Sequence, residues 1–196
     1  DIKVDPERCQ VVFCGEPVVY RRFTYVLLNK PEGVVCATED TRERTVMELL
    51  PSEVRKFDLF PCGRLDKYTL GLVLLTDNGP LAHRLLSPRR HVEKEYVFTC
   101  ANPVTPADLE ALCAGVDIGG YRTKPCRIWM SGADTGRIIL SEGKYHQIRR
   151  MFEARGNRIL YLERVRFAAL TLDGLSRGEW RYLTKEEISA LEAHGE

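Results

Sequence analysis

Apolar positions along this chain come in short blocks divided by turn residues, and the block period switches between about two and three to four. Residues 23–28 (FTYVLL) predict a strand, stopped by Asn29-Lys30-Pro31 and Gly33. The unbroken run Leu72-Val73-Leu74-Leu75 predicts a fully buried strand, followed by a turn at Asp77-Asn78-Gly79 and a helix over 80–86. Residues 95–100, 126–130, 136–141, 159–167 and 180–183 predict further strands. Ile148, Met151 and Phe152 fall at helical spacing and predict a helix over 145–155, closed by Gly156-Asn157. Thr105-Pro106 marks another helix start, ending at Gly115, and Thr184 with Glu187 caps a last helix. Thr45 and Glu48 have capping-box spacing, and the short helix they open stops by Pro51. Residues 1–20 predict short extended pieces with a turn at Cys14-Gly15-Glu16-Pro17 and little core of their own.

Strands and helices mix without a strict βαβ rhythm, and the turns suit hairpins. The expected fold class is α+β: a mixed, mainly antiparallel sheet with helices on one side. The 196 residues suffice for one core, with residues 21–196 as the domain and 1–20 as an attached segment. Apolar residues at 44% and charged residues at 29% exclude wholesale disorder. No apolar run reaches the ~18 residues of a membrane span, and DIKVDPERCQ has no apolar signal core, so a cytoplasmic chain is expected. Cys9, Cys14, Cys36, Cys62, Cys100, Cys113 and Cys126 are scattered, odd in number and free of C-x-x-C pairs. That argues against a zinc site or disulfide framework and for a reducing compartment.

The net charge of +1 says little, but its distribution says more. Between positions 144 and 166 stand seven basic and two acidic residues, a local net of +5, and Arg84, Arg89, Arg90 and His91 form a second cluster. One such cluster alone is ordinarily a solvated face. Two flanking a candidate site point to a phosphate-rich partner.

Three segments carry candidate chemistry. Gly63-Arg64-Leu65-Asp66 puts a carboxylate in an irregular loop ahead of the buried strand. Asp66 there is either a catalytic group or a loop residue bonding nearby amides. In Ser87-Pro88-Arg89-Arg90-His91 a basic loop feeds a strand opening with Lys94-Glu95-Tyr96, where Lys94 and Tyr96 share a face. Tyr96 offers a ring for base stacking and a hydroxyl for proton handling, or is simply a half-buried strand residue. In residues 141–150 (SEGKYHQIRR), Lys144, His146, Gln147, Arg149 and Arg150 surround a predicted helix start, where free amides and the helix dipole favour anions. His146 in such a place is more often scaffold than catalyst.

Together these segments resemble one family. GRLDKYTLGLVLLTDNG (63–79), SPRRHVEKEY (87–96) and EGKYHQIRRMF (142–152) occur in the order and spacing of bacterial ribosomal RNA pseudouridine synthases. The resemblance runs over residues 25–191. The most specific parts are Arg64-Leu65-Asp66 with Thr69 and Gly71, and the stretch from Gly143 to Met151. SPRRH, TKP at 123–125 and Tyr145-His146-Gln147 are most similar to the branch acting on small-subunit (16S) RNA; a large-subunit (23S) target is the alternative.

The resemblance implies a pseudouridine synthase fold in which Asp66 starts cleavage of the N-glycosidic bond. It would do so by attack on ribose carbon 1′ or by removing the carbon 2′ proton, and the residues do not choose between these. It implies a salt bridge from Arg149 to Asp66, and Tyr96 as stacking surface and base for the carbon 5 proton. Arg64, Arg89, Arg90, Lys144, His146, Gln147 and Arg150 become candidate RNA contacts. Such an isomerisation needs no redox step or group donor, so no cofactor and no metal is expected. The expected partner is ribosomal RNA, 16S in a pre-ribosomal particle, met by a monomer without a membrane. The family also carries an N-terminal S4-type RNA-binding domain, and residues 1–20 resemble its tail and linker. A non-catalytic RNA-binding module need not keep Asp66, Tyr96 and Arg149 together. A glycoside hydrolase would want a second carboxylate beside Asp66, and none stands out.

Overall fold

The apolar run at residues 72–75 lies inside a strand buried on both faces, in the interior of the sheet. The structure is a computed structural model that describes residues 11–18 and 22–193. Its strands are β1 (Val11–Phe13), β2 (Glu16–Val18), β3 (Tyr25–Lys30), β4 (Phe60–Cys62), β5 (Leu70–Thr76), β6 (Lys94–Cys100), β7 (Arg127–Met130), β8 (Thr135–Leu140), β9 (Ile159–Phe167), β10 (Leu170–Thr171) and β11 (Trp180–Tyr182). Its helices are α1 (Ser52–Arg55), α2 (Gly79–Leu86), α3 (Pro106–Ala114), α4 (Gln147–Glu153) and α5 (Lys185–Ala193), with a 3-10 turn over Val46–Leu49.

The main sheet runs β11-β3-β5-β9-β6-β8-β7, with β4 added on β5 and β10 on β9. Its pairings are antiparallel except β5 with β9, which agrees with the expected α+β class. Side chains alternate between two cores. Val26, Leu28, Val73 and Leu75 join Phe98, Ile148, Met151 and Phe152 on one face. Tyr25, Leu27, Leu72 and Leu74 meet Leu81, Leu85 and Leu191 on the other. Helices therefore cover both faces, not one. A strand apolar at every position has to bury both of its sides, which is why the run is continuous instead of alternating.

The capping predictions hold. Thr105 Oγ1 accepts from Asp108 N at 3.2 Å, while Asn78, expected only as part of a turn, also caps α2 by accepting from Leu81 N at 3.1 Å. Thr184 and Glu187 form a reciprocal box at 3.2 and 2.8 Å, and Glu48 reaches back to Thr45 N at 2.9 Å. Strands β4 and β10 were not expected. The turn foreseen at 14–17 narrows to Cys14-Gly15, between the strands of the β1–β2 hairpin. The remainder of the 1–20 segment lies outside the described residues.

Candidate active site

The loop between β4 and β5 carries Asp66, and the residues around it hold its backbone from several sides. Lys30, fully buried at the end of β3, donates from Nζ to the carbonyls of Thr69 (2.8 Å), Pro31 (3.0 Å) and Lys67 (3.2 Å). Burial lowers the pKa of this ammonium. Leu65 N donates to Cys36 Sγ at 3.3 Å, and Gly33 N to Lys67 O at 2.9 Å. Lys67 is itself tied to Glu43 at 2.7 Å. Behind the loop, Gly71 passes so close to β9 that a Cβ would stand 2.2 Å from Arg164 O, at a φ of +101°. Only glycine fits there.

Asp66 opens into a cleft of about 90 Å³ lined also by Arg64, Tyr96, Lys144, His146 and Arg149. The expected ion pair between Asp66 and Arg149 is not formed within 4.0 Å. Arg149 instead donates to Tyr68 O and Ile159 O, both at 3.1 Å, and so binds the far end of the Asp66 loop to the start of β9. Among the described residues, the basic side chain within 4.0 Å of the Asp66 carboxylate is His146, with Nε2 at 3.5 Å from Oδ1. His146 has φ +49°, an uncommon left-handed conformation for a residue with a side chain, and Tyr145 stacks on its ring at 3.8 Å.

That conformation shortens α4 at its start, leaving 144–146 as a turn. Gln147 explains why. It is 4% exposed, accepts from Lys144 N at 2.9 Å and donates to Glu142 Oε1 at 2.6 Å. Gln147 is thus a strut of the turn, with its amide satisfied inside the protein, rather than the RNA contact its sequence position implied. Of the amides at the helix start, Gln147 N is engaged with Lys144 O.

Tyr96, 9% exposed, stands mid-cleft with Ile138 and Arg164 as its cross-strand partners. Arg64, Lys144, Arg89 and Arg90 are exposed, the first two on the cleft and the last two on the turn at 88–90. Arg150 is committed to the carbonyls of Ile118 and Tyr145. Much of the local charge excess is likewise spent internally. Arg155 pairs with Asp108 at 2.8 Å, Arg166 with Glu95 at 3.1 Å and Glu93 at 3.2 Å, and Arg164 is buried at 1% exposure.

Lys30, Glu142 and Tyr121 escaped the sequence reading. Glu142 Oε2 accepts from the Tyr121 hydroxyl at 2.7 Å, and this bond raises the pKa of the phenol. Lys30 gives little signal, because between Asn29 and Pro31 it resembles part of a strand stop. Among the described residues no group of three His, Cys, Asp or Glu side chains is placed to hold a metal ion, and no helix is long and apolar enough to cross a membrane.

A carboxylate loop, a buried tyrosine facing it and a basic rim define the site. The sequence model of the RNA pseudouridylate synthase family matches residues 24–154, which contain all three. The chain belongs to that family. An uncharacterised RNA pseudouridine synthase of Bacillus subtilis, YtzG, is 46% identical over 97% of this chain and 83% of its own length. The ribosomal small subunit pseudouridine synthase A of Salmonella typhimurium is 42% identical over 96% of this chain and 83% of its own. A crystal structure of a pseudouridylate synthase, 35% identical, superposes with a TM-score of 0.82 over 97% of this chain and 83% of that one. Asp66, in the loop before β5, and Tyr96, on β6, line one cleft, with β9 paired between the two strands.

Proposed function

We propose that this synthase isomerises a specific uridine of small-subunit (16S) ribosomal RNA to pseudouridine, and that Asp66, Tyr96 and Arg149 carry the reaction. The observation that supports this most directly is Asp66 itself: a carboxylate held at a cleft by a loop whose backbone is fixed from three sides. It is half-exposed and free to meet a ribose. Asp66 cleaves the N-glycosidic bond, by attack at carbon 1′ or by proton removal at carbon 2′. Tyr96 supports the freed uracil while it turns; carbon 5 then joins carbon 1′ as the Asp66 oxygen leaves it, or as the carbon 2′ proton returns, and the Tyr96 hydroxyl relays the carbon 5 proton to water or to the uracil nitrogen freed from the sugar. Arg149 acts as a positioning residue, because it holds Tyr68 O and with it the Asp66 loop.

The target base has to leave its stack, which costs a few kcal/mol. Arg64, Lys144, Arg89 and Arg90 offset that cost through phosphate contacts, and His146 approaches the sugar beside Asp66. The enzyme acts as a cytoplasmic monomer on ribosomal RNA in a pre-ribosomal particle. The identity of 42% with the Salmonella small-subunit enzyme supports the 16S assignment. The test is incubation with unmodified 16S and 23S RNA, followed by a pseudouridine-specific chemical stop in primer extension. One new stop in 16S is expected. A stop in 23S alone moves the target to the large subunit, and no stop in either sinks the reading.

A further inference from the structure

Adjoining the catalytic cleft is a second cavity of about 280 Å³. It shares Arg64, Tyr96 and Lys144 with the cleft and extends under Ser87 and Pro88. Lys94 and Arg164 line its depth. Both flank the Phe167 ring, with Lys94 Nζ 5.7 Å and Arg164 Cζ 5.3 Å from its centroid. The Arg164 charge acts on Lys94, and burial has cost both groups hydration.

No carboxylate answers them. Among the described residues none lies within 4.0 Å of either group. Glu142, the cavity's only lining carboxylate, is taken up by Tyr121, Gln147 and the Lys124 amide. Lys94 Nζ donates to Val92 O at 3.1 Å, and Arg164 Nε to Leu72 O at 2.8 Å. Arg164 Nη2 is buried with no partner at all. A guanidinium nitrogen left in that state is costly, and the usual remedy is an anion. Burial, together with the Arg164 charge, holds the Lys94 pKa at about 8.

We propose that this cavity is a phosphate subsite, in which Arg164 Nη2 and Lys94 Nζ receive a phosphodiester group of the RNA next to the target nucleotide. The assignment rests on the reading of the enzyme as an RNA pseudouridine synthase and adds where the backbone is gripped. A buried guanidinium and an ammonium suit the tetrahedral oxygens of phosphate. A uridine whose base lies against Tyr96 carries its own phosphates within reach of the neighbouring cavity. Binding there lets contacts remote from the scission be spent on extracting the base.

Wild type, K94M and R164K decide the matter in three arms. Inorganic phosphate is first titrated against each protein and followed by ³¹P line broadening, with chloride at equal ionic strength as blank. Wild type broadens the line, and both variants do so at least fivefold less. In steady-state turnover of 16S RNA, K94M raises KM about tenfold, leaves kcat within about threefold, and lowers the slope of log affinity against log salt by roughly one. Finally, a methylphosphonate beside the modified uridine in a synthetic RNA raises KM for wild type and adds nothing in K94M.

Equal broadening and equal KM in all three proteins overturn the subsite. Phosphate binding that responds to K94M while RNA KM and the methylphosphonate effect do not overturns the RNA assignment in favour of a free anion. Phosphate binding lost in K94M, in a wild type inactive on ribosomal RNA, supports the anion site and removes the activity reading instead. Should R164K fail to fold, K94M carries the comparison, since it deletes a charge and keeps the chain length of the side chain.

Discussion

His146 Nε2 lies 3.5 Å from Asp66 Oδ1, closer than any lysine or arginine side chain among the described residues. The left-handed backbone at His146 aims the ring there, and the Gln147 strut holds that backbone in place. The carboxylate is thus flanked by an imidazole, while Arg149 holds the loop that carries it.

Asp66→Asn keeps the shape of the side chain and removes its charge. Turnover of ribosomal RNA should fall below a few per cent of wild type, with the melting temperature and RNA affinity almost unchanged. Single-turnover assays and filter binding check this, and substantial residual turnover rules out Asp66 as the essential group.

His146→Asn retains a residue type that tolerates positive φ and withdraws the imidazole from Asp66. A long contact of this kind predicts a loss of about three- to tenfold in kcat, with KM for RNA changed less. An unchanged kcat would assign His146 to the RNA surface alone.

Tyr96→Phe leaves the ring and removes the hydroxyl. If the hydroxyl accepts the carbon 5 proton, product formation drops by about 10²–10⁴ while RNA binding persists. RNA containing 5-deuterouridine separates the roles, because a proton-transfer defect enlarges the isotope effect and a stacking defect does not.

Gly71→Ala would place a methyl 2.2 Å from Arg164 O at a backbone angle hostile to alanine. A destabilisation of about 3 kcal/mol or more is expected, or roughly 10 °C in melting temperature. Differential scanning calorimetry reads it directly.

Lys94 should make stability depend on pH. Burial lowers its pKa to about 8 from the ordinary 10.5, so the unfolded chain binds the proton more readily than the folded one. Its folded state is favoured at high pH, and that advantage is lost as pH falls from 10.5 to 8. Relative to K94M, wild type should therefore gain about 5 °C between pH 7 and pH 10 in phosphate-free buffer. A constant difference would show that Lys94 titrates normally.

Much of this fold is legible in the chain. Leu72-Val73-Leu74-Leu75 announces a strand with two buried faces, and Thr105 and Thr184 mark helix starts by side chains able to satisfy free amides. The family resemblance, rather than residue spacing, implies that Asp66 and Tyr96 share one site. What stays hidden depends on pairing across the sheet. Arg164 looks like one more basic residue in a positive stretch until β9 is set between β5 and β6, with its side chain buried. The partners of Arg149 are two backbone carbonyls, and carbonyls carry no residue-type signal. Lys30 ends its strand beside Pro31 and so resembles a stop signal, although it is the last buried residue of the strand.

Lys30 also ties catalysis to folding. Its ammonium reaches the Asp66 loop only once β3 lies against β5, so the loop inherits the cooperativity of the central sheet instead of melting as a separate flap. Denaturant curves followed by turnover and by circular dichroism should then share one midpoint, and native-state amide exchange at Thr69 and Gly33 should be as slow as in the strands themselves.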